Sequence, residues 1–263
     1  MKKKLMNEFY EFKLLMRSVP FVVVAPFVLS VFCMNLLANK SITLPVDWLA
    51  LDCGIIVSWF AFLCMDIVTK HFGPKAATQI SLFAIVLNLI FCLLFYAGSQ
   101  IPGIWSQSYV EGSEDVINTA LDATIAGTWY VLAGSTLAFV ASAVINNFAN
   151  FGIGKLFKSN PDGATAFFFR SYVSTAIGQF ADNMIFALTV SHVFFGWTIL
   201  QCVTCSLTGM VAELICEAAF SYFGFATCKR WKKDKVGEEY LAHVESRRNN
   251  NESSIVRRCT KSW

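Results

Sequence analysis

Residues 76–98 read AATQISLFAIVLNLIFCLLFYAG, and no charged side chain interrupts this stretch. About 20 consecutive apolar residues are enough for an α-helix to cross the hydrocarbon core of a bilayer. Five further apolar segments of similar length lie at 18–38, 49–69, 126–150, 171–193 and 197–227. The sequence therefore predicts an all-α integral membrane protein with six transmembrane helices.

The overall composition agrees with this class. Of 263 residues, 56% are apolar and 15% are charged, and the mean hydropathy is +0.54. Soluble domains carry about 25% charged residues. The composition excludes a disordered protein, a nucleic-acid-binding domain and a secreted disulfide scaffold. The first apolar run is long enough to span and has no small-residue cleavage site, so we interpret it as a transmembrane helix and not as a removed signal peptide.

The basic residues predict the orientation of the chain. Twenty of the 21 Lys and Arg residues lie in the N-terminal arm, the second and fourth connections or the C-terminal tail. The positive-inside rule then places both termini in the cytoplasm. We expect a cytoplasmic arm at 1–17, a transport domain at 18–228 and a basic, partly disordered cytoplasmic tail at 229–263.

Polar and ionisable residues at membrane depth are the candidate functional residues, because burying them in hydrocarbon is costly. Gln179, Asp182 and Asn183 are spaced to share one helical face. The other candidates are Asp66, Asn146, Arg170, Ser174, Thr175, Glu213 and Glu217. For Asp66 a structural alternative is an ion pair with Lys70, and for the polar amides it is helix–helix packing.

No metal-ligand cluster, phosphate-binding loop or hydrolase motif is present in the sequence, so we expect no metal, no cofactor and no enzymatic activity. The six predicted spans divide as three plus three, which would give two inverted repeats, a common plan in transporters. Asp66 and Asp182 would then lie in corresponding helices. Because the halves share little sequence, this symmetry is a hypothesis.

Three stretches resemble a known family of membrane proteins. Residues 62–73, FLCMDIVTKHFG, resemble the D-[ILV]-x-x-x-x-[FY]-G signature of the VUT family, the queuosine precursor transporters. Residues 134–141 followed by Asn146 resemble the small-residue fourth span of that family. Residues 170–186, RSYVSTAIGQFADNMIF, resemble its R-N-x-x-S-T-x-x-x-Q-x-x-D-[ST]-x-x-F motif. The chain departs from the family pattern at Ala143, Asn146, Ser171, Asn183 and Glu213.

The resemblance implies import of a 7-deazaguanine base, such as preQ0, preQ1 or queuine, across the cytoplasmic (inner) membrane of a bacterium. A carboxylate of Asp182 or Glu213 could accept the adjacent N–H donors of such a base, and amides such as Gln179 could serve its oxygen. Coupling of the import to protons through these carboxylates would be compatible with this function.

Other functions remain open at this point. The chain could be the substrate-capture subunit of a multi-subunit vitamin importer, a transporter of another purine-like or vitamin substrate, or an intramembrane enzyme or scaffold. The expected partners are the small-molecule base and the lipid bilayer, with no nucleic acid. Small residues such as Gly152 and Gly154 would permit a homodimer.

Overall fold

The computed structural model describes residues 2–105, 112–154 and 164–247, and almost all of them are helical. The helices are α1 (Lys2–Ser18), α2 (Phe21–Leu37), α3 (Ile55–Phe72), α4 (Pro74–Ser99), α5 (Glu114–Gly154), α6 (Ala164–Phe186), α7 (His192–Phe195) and α8 (Ile199–Lys233). A π-helical turn, Ala187–Ser191, joins α6 to α7. Residues 238–247 form a further helical segment, the tail helix.

Four of the described helices are long and apolar enough to cross a membrane: Ile55–Phe72, Pro74–Ser99, Glu114–Ser142 and Ile199–Phe220. A fifth is added if Met6–Ser18 and Phe21–Leu37 count as one bent span. The predicted class, an all-α membrane protein, is confirmed. The number of six spans stays a prediction.

Helix ends differ from the predicted ends of the spans. We placed the fourth span at 126–150, but α5 already begins at Glu114, with Glu114 and Asp115 in its first turn. We ended the sixth span at 227, but α8 continues to Lys233, with basic residues in its last turn. Acidic side chains stabilise a helix N-terminus and basic ones a C-terminus. Charge therefore extends these helices beyond the apolar segments that hydropathy detects.

A proline separates α1 from α2. Pro20 lacks a backbone N–H, and a proline disfavours helical geometry in the residue before it. Pro20 adopts φ −59° and ψ 130° at the N-cap of α2. The two helices consequently meet at 107°. The N-terminal helix lies across the end of the bundle, where Leu14 and Leu15 are buried.

A short antiparallel hairpin connects α2 to α3. Its strands are β1 (Ser41–Ile42) and β2 (Leu51–Asp52). The loop between the strands contacts the start of α8, because Gln201 Nε2 donates to the Asp47 carbonyl at 2.9 Å and Thr204 Oγ1 donates to the Trp48 carbonyl at 2.8 Å. These bonds fix the hairpin against one end of α8.

The opposite end of the bundle holds an ionic cluster that we call the terminal clamp, made of Glu8, Glu11, Lys75 and Arg247. Lys75 Nζ lies 2.9 Å from Glu8 and 2.6 Å from Glu11. Arg247 of the tail helix pairs with both glutamates. Lys75, and after it Arg247, holds the pKa of Glu8 below its ordinary value. The clamp therefore ties the N-terminal helix, the start of α4 and the tail helix together.

Apolar contacts support the terminal clamp. Tyr240 of the tail helix is fully buried, and Trp231 at the end of α8 is 7% exposed. Both rings pack against Phe72 at the end of α3. His71 Nε2 also lies 2.9 Å from the Val236 carbonyl oxygen. The part of the predicted tail that the structure describes is thus an ordered helix with its own buried contacts.

Candidate functional site

Two adjoining cavities lie inside the bundle. The larger has a volume of about 410 Å³ and lies between α2, α3, α4, α5 and α6. The smaller, about 90 Å³, lies between α2, α3, α6 and α8 beside the hairpin. Asp182 and Phe62 line both of them. Small-molecule sites usually occupy about 300–1,000 Å³, so only the larger cavity has the volume of such a site.

The larger cavity brings together four of the residues predicted from the sequence. Asp66 comes from α3, and Thr175, Gln179 and Asp182 come from α6. The three α6 residues lie at i, i+4 and i+7, a spacing that keeps them on one helical face. This face of α6 is turned toward the cavity. Asp66 lies across from it and also pairs with Lys70 at 3.8 Å, as in the structural alternative.

Asp182 lies where the two cavities meet. Its Oδ1 accepts a hydrogen bond of 2.9 Å from the Ser142 hydroxyl on α5. The neutral hydroxyl fills one of the hydrogen-bond acceptor positions of the carboxylate but does not neutralise its charge. Asp182 therefore presents an anionic acceptor to both cavities.

Gln179 has a buried side-chain acceptor without a hydrogen-bond partner among the described residues. The residue is 6% exposed, and the acceptor is its Oε1. Buried polar atoms of proteins nearly always have a partner, so an unpaired one calls for an explanation. Because Gln179 lines the larger cavity, a bound molecule with an N–H or O–H donor would supply that partner.

Glu213 lies in the smaller cavity and is 4% exposed. Its Oε1 accepts a hydrogen bond from the Ser58 hydroxyl at 3.1 Å, and its Oε2 accepts one from Asn183 Nδ2 at 3.4 Å. The Asn183 amide lies directly over Gly209, where a Cβ would come within 2.8 Å of Nδ2. The absence of a side chain at Gly209 is therefore what lets Asn183 reach Glu213.

Asp52 is a lining residue that was not predicted from the sequence. This carboxylate lines the smaller cavity at the end of β2, and its Oδ1 accepts a hydrogen bond of 2.7 Å from the Gly54 N–H. We had included Asp52 in the second predicted span without counting it as a charge at membrane depth. Its position at the beginning of an apolar run, two residues before a glycine, was the available signal. Ser58 and Ser142 were missed as well, because isolated serines are common in membrane helices.

Four predicted site residues cannot be placed in either cavity. The side chains of Asn146, Arg170, Ser174 and Glu217 lie outside the described part of the structure. Their membership of the candidate site therefore stays a prediction.

The charges that line the cavities have one sign. Asp52, Asp66, Asp182 and Glu213 are acidic, and none of the described lining residues is Lys, Arg or His. Within the described part of the chain there is also no group of three or more His, Cys, Asp or Glu residues that could hold a metal ion. Aromatic surface is available beside the carboxylates, since Phe62 lines both cavities and Phe139 the larger one. Such a site suits a flat molecule that is rich in hydrogen-bond donors.

Comparison with known proteins gives one match. Residues 52–226, about two thirds of the chain, match the family described as putative vitamin uptake transporter. No curated protein and no solved structure matches the chain. The matched region begins at Asp52 and contains α3 to α6 and most of α8, the helices that supply most of the lining of both cavities.

Proposed function

The chain belongs to the vitamin uptake transporter family, and from this membership we propose that it imports a queuosine precursor, a 7-deazaguanine base, across the bacterial inner membrane. A role in vitamin uptake follows from the family itself. The choice of a 7-deazaguanine base as the cargo is supported by the motifs at 62–73 and 170–186 and by the chemistry of the larger cavity.

The observation that carries the proposal is the pair of Asp182 and Gln179 in one cavity. A guanine-type ring edge presents the N1–H and the 2-amino group side by side, and a carboxylate accepts both at once. The unpaired Gln179 Oε1 would accept a further N–H, such as that of the five-membered ring. Bound in this way, the base gives Gln179 the partner that it lacks.

The flat ring also needs an apolar surface. Phe62 lies on α3 and lines both cavities, and Phe139 of α5 lines the larger one. Aromatic rings stack in an offset or edge-to-face manner and contribute about 0.5–1.5 kcal/mol beyond the area they bury. We assign Phe62 as the stacking residue, because it lies beside Asp182 at the junction of the cavities.

Proton coupling is the proposed source of energy. Asp182 and Glu213 line the same 90 Å³ cavity, together with Asp52. Like charges repel strongly in a space with little water. Binding of a proton by Glu213 relieves that repulsion. Release of this proton on the other side of the membrane would complete the transport cycle.

Uptake by the purified protein in proteoliposomes tests the proposal. We expect accumulation of labelled preQ1 and its loss in Asp182→Asn, while Asp234→Asn, on an exposed residue at the end of α8, retains it. Normal uptake by Asp182→Asn would refute the assignment of Asp182. Tight binding of preQ1 without any uptake would instead indicate a substrate-capture subunit that needs an energising partner.

The coupling has its own test. In the wild type, uptake should depend on the external pH, and in Glu213→Gln that dependence should disappear. An unchanged pH profile in Glu213→Gln would contradict a proton role for this residue.

A further inference from the structure

A guanine-type base carries a carbonyl oxygen directly beside its N1–H, on the edge that Asp182 is proposed to bind. An ionised carboxylate and the Gln179 Oε1 can only accept hydrogen bonds. The ring oxygen therefore needs a donor from another residue close to Asp182. Among the described residues that line both cavities with Asp182, Asn35 and Ser135 are the ones with a side-chain donor.

Asn88 of α4 fixes the orientation of the Asn35 amide. Asn88 Nδ2 donates to the Ala84 carbonyl oxygen, one turn earlier in the same helix, at 2.9 Å. A carbonyl oxygen only accepts, so the nitrogen of the Asn88 amide must point toward it and the oxygen must point away. That oxygen, Asn88 Oδ1, accepts a hydrogen bond from Asn35 Nδ2 at 3.4 Å. The backbone of α4 thereby determines which end of the Asn35 amide carries the donors.

The pair lies between the core and the cavities. Asn35 is 4% exposed and Asn88 is 1% exposed, and only Asn35 lines the cavities. An amide nitrogen carries two N–H groups, and the bond to Asn88 uses one of them. Within the described part of the chain, the Asn35 side chain makes no other hydrogen bond. Its second N–H is therefore available to a molecule beside Asp182.

Ser135 is the less suitable donor of the two. A serine hydroxyl rotates about its C–O bond, and in a helix it can donate to a backbone carbonyl of the preceding turn. Nothing equivalent to Asn88 directs the Ser135 hydroxyl among the described residues. Asn35 is held in one orientation before the cargo binds, so less conformational freedom is lost on binding.

We propose that Asn35 donates a hydrogen bond to the ring oxygen of the cargo and that Asn88 is its positioning residue. The proposal rests on the proposed function for the identity of the ring, and it adds the feature of the ring that is selected. Asp182 accepts from the N1–H and Asn35 donates to the neighbouring oxygen, so together they select a ring amide. An adenine-type ring would place an amino group against the Asn35 N–H and an unprotonated nitrogen against the Asp182 carboxylate. The site therefore excludes adenine-type bases.

Three ligands test the proposal on the unaltered protein. They are 7-aminomethyl-7-deazaguanine, its 6-thioxo analogue and its analogue without the 2-amino group. Sulfur is a weaker acceptor than oxygen and leaves the N1–H in place, so the thioxo analogue tests the contact with Asn35. The analogue without the 2-amino group tests the contact with Asp182. We expect calorimetry in detergent to give a dissociation constant about three- to tenfold higher for the thioxo analogue, the scale of one neutral hydrogen bond.

Asn35→Leu locates the effect. Leucine has the same branched shape as asparagine, so this variant removes the donor without opening space for the larger sulfur atom. The thioxo penalty should fall below about twofold, whereas the penalty for the missing 2-amino group should keep its wild-type value. The control is Asn39→Leu on the same helix, because Asn39 bonds to Thr128 and lines neither cavity. Both penalties should persist in this control.

Two further variants test the role of Asn88 and guard against misfolding. Asn88→Leu changes no residue of the cavity lining, and it should reduce the thioxo penalty because Asn35 loses its fixed orientation. A wild-type penalty in this variant would overturn the positioning role. The double variant Asn35→Leu with Asn88→Leu removes both partners of the buried bond, a change that proteins tolerate better than the loss of one. Its thioxo penalty should equal that of Asn35→Leu.

The outcomes separate the role of Asn35 from the proposed function. Equal affinity of the wild type for the oxo and thioxo ligands, or a wild-type thioxo penalty in the double variant, would overturn the role of Asn35 alone. Loss of the penalty in Ser135→Ala but not in Asn35→Leu would overturn it as well and make Ser135 the donor. Failure of all three ligands to bind the wild type would overturn the proposed function, and with it the assignment that rests on it.

Discussion

Replacing Gly209 with alanine should disconnect Asn183 from Glu213 without unfolding the protein. A Cβ at this position would lie 2.8 Å from Asn183 Nδ2 and 3.3 Å from its Cγ. To restore ordinary contact near 3.4 Å, the amide must retreat from α8 by about 0.6 Å. The hydrogen bond to Glu213, already 3.4 Å long, would then exceed the length at which amides bond to carboxylates.

The magnitude follows from this bond. Hydrogen bonds to charged groups contribute about 1.5–3 kcal/mol, and this long one belongs at or below the lower end of that range. A loss of about 1–1.5 kcal/mol corresponds to roughly a five- to tenfold change in an equilibrium. Alanine in a helix is favoured over glycine by about 0.5–1 kcal/mol. Gly209→Ala should therefore keep nearly its full thermal stability while uptake falls about five- to tenfold.

Proteoliposome uptake and melting temperature in detergent measure the two effects side by side. Gly224→Ala is the matched control in the same helix, because its Cβ would meet Ile67 and Leu63 at ordinary contacts of 3.5 and 3.6 Å. Asn183→Ala should reproduce the loss, and the double variant should lose no more than either single one. Wild-type uptake by Gly209→Ala, or an equal loss in Gly224→Ala, would refute the reasoning.

Three more predictions concern packing and the terminal clamp. Gly134→Ala should lower stability by about 1–3 kcal/mol through overpacking, because its Cβ would clash with Val190 Cγ2. Val190→Ala should restore much of that stability, and additive losses in melting temperature would contradict this contact. Arg247→Ala should speed hydrogen exchange in the tail helix, while Lys235→Ala, on an exposed pair, should not; equal exchange in both would show that the clamp does not hold the helix. Because the folded-state pKa of Glu8 is lowered, the stabilisation from its ion pairs is present above the ordinary glutamate pKa of about 4.5 and is lost as the pH falls through the lowered value. Glu8→Gln should therefore melt with a weaker pH dependence below about pH 5, and an unchanged dependence would exclude Glu8 as its source.

The class of the fold could be predicted because hydropathy responds to long apolar runs, and the stretch at 76–98 falls entirely within α4. Helix ends were less predictable. Residues 114–125 are polar enough to resemble a connection, yet they are the first turns of α5. Hydropathy does not detect a helix that extends beyond the apolar region, where charge at the helix end stabilises it.

The site was predictable along one helix and not between helices. Helical spacing was enough to group Gln179 with Asp182, and both line the larger cavity. The contacts of Glu213 with Ser58 and Asn183 join three helices. A single sequence contains no direct record of which helices touch, so those contacts required the structure. Asp52 was missed for the same reason, because its place beside the smaller cavity depends on the hairpin folding back.

The terminal clamp also constrains how the chain threads the membrane. It joins Glu8, Lys75 and Arg247 through direct ion pairs, which cannot form across a hydrocarbon core about 30 Å thick. The three segments must share one face of the bilayer, so the chain crosses an even number of times between each of them. Labelling any one segment from a known side therefore locates the other two, and with them the side of the membrane that each end of the bundle faces.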